Sequence, residues 1–131
     1  MEENLPDYRK KQQLLYEEHT KANELIAYGD KFLEAGRIPD ALEFYQRANH
    51  IGGLETIRTQ ATQSGDALLF MQASKALNRV PTPDEWLTIG QAAWKAKKYS
   101  FALLAYANGG HEKLLQETEE ILKTEGNAIN T

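Results

Sequence analysis

Eight positions of the chain recur at a single offset of 61 residues, and this recurrence limits what the chain can fold into. Leu25, Tyr28, Gly29 and Phe32 are answered by Trp86, Ile89, Gly90 and Ala93. Ile38, Ala41, Tyr45 and Ala48 are answered by Tyr99, Ala102, Tyr106 and Gly109. Within each set the steps are of three, four or one residues, which places the set on one side of a helix. So many coincidences at one offset are not a chance event in 131 residues. They predict two copies of a helical hairpin with small residues where its helices touch.

The later copy carries the clearest punctuation. Thr82 caps a helix, Pro83 suits its first position, and Glu85 completes a T-x-x-E capping box. A helix over 83–96 follows, then a polar break at Lys97 and Lys98, then a helix over 99–108 closed by Gly109-Gly110. In the earlier copy a helix over 22–35 ends at Gly36, and Pro39 opens its partner. Between the copies, Gly52-Gly53 reads as a break. Leu54, Ile57 and Ala61 point inward from a helix too short for a full pattern, and Gly65 stops it. Asp66–Met71 (D-A-L-L-F-M) then echoes Asp40–Tyr45 (D-A-L-E-F-Y), with Phe101–Tyr106 as a looser third copy. The expected hairpins are therefore three, over 22–50, 54–79 and 83–110.

The ends differ from the repeats. An N-terminal helix is expected over 6–20, with Asn4 or Leu5 at its cap and Pro6 and Asp7 in its first turn. Asp7 with Lys11, and Glu17 with Lys21, form i,i+4 pairs on a solvated face. Leu114, Leu115, Thr118, Ile121 and Leu122 mark an amphipathic helix over 111–124. Glu112, Glu117, Glu119 and Glu120 lie on its outer face, as suits a helix that covers the open end of a repeat stack. Residues 125–131 are expected to be a disordered tail.

The pattern W-x2-[LI]-G…Y-x2-A-x3-[FY], carried by Trp86, Ile89, Gly90, Tyr99, Ala102 and Tyr106, resembles the tetratricopeptide repeat, a helix–turn–helix unit of about 34 residues. The resemblance covers 22–50 and 83–110 well and 54–79 poorly. It departs from the family at Leu25 (usually Trp), Ala93 (usually aromatic), Gly109 (usually Ala) and Gly53 (where Pro is usual). Two periods would take roughly 68 residues; the shortage is assigned to 54–65. The phrases A-N-H-I-G-G-L-E-T-I and A-N-G-G-H-E-K-L-L also look like the repeats of vesicle-coat helical solenoids.

The resemblance implies an all-α, right-handed solenoid of about three hairpins with added terminal helices. Its concave groove would be lined by the first helix of each repeat and would bind a peptide or helix of a partner protein. The groove positions implied are Ile26, Asp30, Leu33, Leu87, Gln91, Trp94 and Lys95, flanked by Asn23, Glu34 and Asp84. Some members grip a C-terminal carboxylate with Lys and Asn. The corresponding positions here hold Ile26 and Asp30, and Leu87 and Gln91, so that clamp is not expected. The alternative is self-association into a homodimer through the groove or an end helix; an enzyme is the least favoured reading.

Composition supports these expectations. A net charge of −4 argues against a nucleic-acid partner. There are no cysteines for a disulfide framework or thiolate zinc site. No apolar run is long enough for a membrane span, and the acidic start has no signal-peptide character. A cytoplasmic protein is the default expectation. His19, His50 and His111 are isolated, and Ser64, Ser74 and Ser100 lack a nucleophile-elbow context. The adjacent acids Glu17-Glu18 and Glu119-Glu120 point to different sides of a helix. No catalytic residue, metal site or cofactor is expected.

Overall fold

A computed structural model describes the backbone of residues 5–17 and 20–130 and the side chains of 5–17 and 20–125. These residues form an all-α protein. Its helices are α1 (Tyr8–Tyr16), α2 (Ala22–Glu34), α3 (Ile38–Arg47), α4 (Ile51–Ser64), α5 (Ala67–Ala76), α6 (Pro83–Lys95), α7 (Tyr99–Gly109) and α8 (Glu112–Asn130). The chain divides into two compact units, Met1–Ile57 and Arg58–Thr131.

One device ends every helix from α2 to α7. Gly36, Asn49, Gly65, Asn78, Lys97 and Gly110 each take a positive φ just past a helix. The N–H of the following residue then reaches back to a carbonyl of the last turn. The bonds are Arg37 to Phe32 at 2.9 Å, His50 to Tyr45 at 2.8 Å and Asp66 to Ala61 at 3.0 Å. Arg79 to Ser74 at 2.9 Å, Lys98 to Ala93 at 2.8 Å and His111 to Tyr106 at 3.0 Å complete the set. This is the Schellman arrangement, which satisfies carbonyls that a helix end otherwise strands.

The left-handed residues also define the repeat. The two ends of each helix pair lie thirteen residues apart (36 and 49, 65 and 78, 97 and 110). Successive pairs step by 29 and 32 residues.

This ruler corrects three expectations for the middle pair. First, α4 is not short: it has 14 residues against 13 in α2 and in α6. The missing length lies in the connections, since only residues 48–50 separate α3 from α4. Second, Gly52-Gly53 does not break the chain, because both lie inside α4. Gly53 is buried, and a Cβ on it would come within 2.6 Å of the Tyr45 ring, so packing explains this glycine. Third, the D-A-L echo misleads by three residues. Asp66 is the N-cap of α5 and accepts from the Leu69 N–H, whereas Asp40 lies within the first turn of α3. Helix ends equate Ala41 with Phe70 and Ala102.

Lys97 is the least suitable of the six left-handed residues, since a β-carbon there costs about 1–2 kcal/mol and lysine has no short side chain to offset it. Lys97→Gly should therefore raise the unfolding free energy by about 1 kcal/mol, read as a higher denaturant midpoint. A lower midpoint would contradict this account of the turn.

In the first unit α2 packs on α3. The Tyr45 ring lies over Gly29, where a Cβ would come within 2.6 Å of it. The Tyr45 hydroxyl donates to Asp30 at 2.6 Å, and Phe32 stacks on Phe44 at 5.4 Å. Ala41 is fully buried.

The helix expected over 6–20 is confined to Tyr8–Tyr16, with Asp7 as its N-cap accepting from Lys10 N–H at 2.8 Å. Leu5 is therefore not the cap, and Asn4 lies outside the described residues. Lys11 does not pair with Asp7. Its ammonium reaches α3 instead, at 2.5 Å from Asp40 and 2.8 Å from Glu43. Glu17 and Lys21 cannot form a within-helix pair, because α1 ends before Glu17. Leu14 and Leu15 are buried, and Arg47 donates to the Leu15 carbonyl at 2.7 Å.

In the second unit α6 and α7 repeat this design. The Thr82–Glu85 capping box is complete, with its two bonds at 3.0 and 3.1 Å. The Tyr106 ring covers Gly90 as Tyr45 covers Gly29, and Ala93, Ala102 and Ala105 are fully buried.

The middle pair inverts this contact. Arg58 holds the place of the two glycines and Ser74 the place of the two tyrosines. The buried Arg58 guanidinium donates to Ser74 Oγ at 2.8 Å, pairs with Glu85 at 2.8 Å and lies 4.5 Å from the Phe70 ring centroid.

α8 packs on α7. Leu114 and Leu115 rest on the cluster of Ala93, Ala102 and Tyr106, and Thr118 is fully buried with its hydroxyl on the Leu114 carbonyl. The helix extends to Asn130, six residues past its expected end, so residues 125–130 are helical where a disordered tail was expected. Thr131 lies outside the described residues.

Candidate functional site

A cleft of about 1000 Å³ belongs to the second unit. α6 contributes Thr88, Gln91, Ala92, Trp94 and Lys95, with Ala96 just beyond its end. Gln63 comes from the end of α4, Tyr106 from α7, and Leu114 and Glu117 from α8. The helical period explains the division of labour on α6. Trp86 faces α5 and α7 and is buried, edge-on to Phe70 at 5.1 Å. Trp94, eight residues on, is turned about 80° around the axis. It lies half-buried, edge-on to Tyr99 at 5.3 Å, with the rest of its surface on the cleft.

Tyr106 reaches the cleft because Gly90 lets its ring cross α6. Its counterpart Tyr45 donates to Asp30, but Gln91 stands in the place of Asp30 here. Among the described residues the Tyr106 hydroxyl has no hydrogen-bond partner. Burial raises its pKa first, and the Glu117 carboxylate raises it further. The phenol is thus a neutral donor at neutral pH, facing a cleft that also holds an acceptor carboxylate.

Of the expected groove residues, the cleft gathers Gln91, Trp94 and Lys95. Leu87 does not line it; this side chain is half-buried against Ala93, Ala102 and Tyr106. Ile26, Asp30 and Leu33 belong to the first unit. Ile26 and Leu33 are half-buried there, and Asp30 is committed to Tyr45.

Besides Thr88, Ala92 and Ala96, four further cleft residues were not anticipated as such. Glu117, expected on the outer surface, lies three residues after Leu114 and so shares its side of α8. Tyr106 enters the sequence reading only as a position of the repeat pattern. Gln63 and Leu114 carry no sequence signal for a cleft until the helices are placed.

Among the described residues no group of His, Asp and Glu could hold a metal ion. His111 is occupied by the Pro83 carbonyl at 2.9 Å, His50 lies against Tyr45, and His19 falls outside the described residues. No helix among the described residues is long and apolar enough to cross a membrane. No family model, curated protein or solved structure matches the chain.

Proposed function

We propose that this chain is a protein-interaction module of the tetratricopeptide-like type, a right-handed stack of about three hairpins that holds a peptide or helix of a partner protein. The observation that carries the reading is the cleft beside Trp94. A half-buried tryptophan, a leucine and two alanines are edged there by amides and charges, the composition of a recognition site. The three thirteen-residue pairs support a repeat design, although their steps of 29 and 32 are shorter than the tetratricopeptide period. The vesicle-coat type of solenoid repeat is the weaker likeness. On this reading the chain is not an enzyme, needs no cofactor, and works in the cytoplasm without nucleic acid or membrane.

Trp94→Ala should leave the helical content unchanged and strongly weaken binding of peptides selected on the wild type from a random display library. An anchor of this kind is worth at least about 2 kcal/mol, or roughly thirtyfold in Kd. Peptides that bind the variant as tightly as the wild type would remove Trp94 from the site.

The second reading, self-association, is favoured by a different observation. From Tyr99 to Gly109, α7 contains no charged residue, and its Phe101, Leu103 and Leu104 are half-exposed. Leu68 on α5 is exposed as well. Sedimentation equilibrium distinguishes the two, since the first reading requires a monomer with a free cleft.

A further inference from the structure

We infer that the cleft's occupant is a segment with an apolar side chain between an acidic and a basic residue, the acid directed to Lys95 and the base to Glu117. This rests on the cleft being the binding site. Lys95 stands on α6 and Glu117 on α8, so the cleft presents opposite charges from two different helices. The same cleft also presents the apolar surfaces of Trp94, Leu114, Ala92 and Ala96. A uniformly basic segment would place a cation beside Lys95, and a uniformly acidic one would place an anion beside Glu117. Each arrangement is penalised by like charges; a neutral segment avoids the penalties but gains no ion pair, and a segment of mixed sign in the right order gains two.

The uncharged groups fit the same occupant. Gln63 and Gln91 offer amide donors and acceptors suited to a peptide backbone, and the unpartnered Tyr106 hydroxyl offers a further donor. A basic side chain reaching Glu117 would lay its methylenes along Leu114 and Trp94, as long cationic side chains do on apolar surfaces.

The test uses a random dodecapeptide display library on the full chain, followed by anisotropy titrations of the most enriched peptide. The proteins compared are the wild type, Lys95→Glu, Glu117→Lys, the double reversal and Trp94→Ala. Lys95 and Glu117 are both exposed, so their reversal should not disturb folding, which circular dichroism checks. The expected peptides carry an apolar residue between opposite charges. Each single reversal should weaken binding at least tenfold, and the double reversal should prefer the peptide with its charges exchanged.

Peptides that need Trp94 but ignore both reversals would overturn the charge order and leave the cleft as the site. Failure to select any peptide, or binding indifferent to Trp94→Ala, would overturn the cleft itself and this inference with it.

Discussion

Gly65→Ala should lower stability by about 3 kcal/mol, because two separate penalties meet at that residue. Gly65 has φ +74, a conformation that costs an L-residue about 1–2 kcal/mol. A Cβ there would also lie 2.6 Å from the Ala93 Cα and 2.9 Å from the Ala92 carbonyl carbon. These are backbone atoms of α6 that cannot rotate aside, and forcing extra volume into such a contact costs about 1–3 kcal/mol. Gly36 and Gly110 provide the comparison. They have φ +77 and +74, but nothing lies within 4 Å of a Cβ on either. Gly36→Ala and Gly110→Ala should therefore show only the conformational penalty. Denaturant midpoints of the three variants separate the effects, and equal losses at Gly65 and Gly36 would show that the contact with α6 is not tight.

The second large effect is expected at Arg58, which is 8% exposed. Its Nε and Nη1 are bound to Ser74 and Glu85, while Nη2 is buried without a partner among the described residues. Arg58→Ala removes one side of the ion pair and leaves an empty volume beside Phe70. Breaking a buried pair costs about 3–5 kcal/mol. Glu85 retains 33% exposure, so water recovers part of this, and a loss of about 3 kcal/mol is expected. Arg58→Met keeps most of the volume and removes the orphan donor but still strips Glu85 of its partner, so it should destabilise by less than Arg58→Ala. Equal destabilisation by alanine and methionine would mean that the charge, not the volume, holds the middle pair together.

The same pair sets an acid dependence. The Arg58 hydrogen bond holds the Glu85 carboxyl below its usual pKa, against the upward push of burial, with the Thr82 N–H assisting. A carboxyl depressed in the folded state adds stability above its unfolded pKa of about 4.3. That contribution is lost as pH falls through the folded value. Urea midpoints should thus fall between pH 7 and pH 3 by more in the wild type than in Arg58→Met.

Much of the fold was legible because small and large residues alternate at helical spacing. Gly29 with Tyr45, and Gly90 with Tyr106, are contacts that the 61-residue offset already pairs. The Thr82–Glu85 box was equally readable, since capping depends on local chemistry. Elsewhere the local signal pointed the wrong way. Asn49, Asn78 and Lys97 turn the chain with a positive φ that the lysine in particular does not advertise, while Gly53, a nominal breaker, sits inside a helix to make room for Tyr45. Asp7 is the nearest acid to Lys11 in sequence, but α3 offers the lysine two. For the cleft, the resemblance to the repeat pattern implied Gln91, Trp94 and Lys95. Glu117 required knowing which side of α8 turns toward Trp94, and that follows from packing of Leu114 and Leu115 on the hairpin.

A chain of three similar hairpins risks joining the first helix of one to the second helix of another while it folds. The inverted middle contact acts against this confusion as a key cut with opposite teeth. Setting Arg58 against Tyr45 would crowd two long side chains into one space, and setting Gly29 against Ser74 would leave a void the size of a phenol ring. Each wrong partnership involving the middle hairpin is therefore either overfilled or hollow. The two outer hairpins carry the same Gly–Tyr teeth and could be mistaken only for each other. Along the chain, the one hairpin that fits neither comes between them.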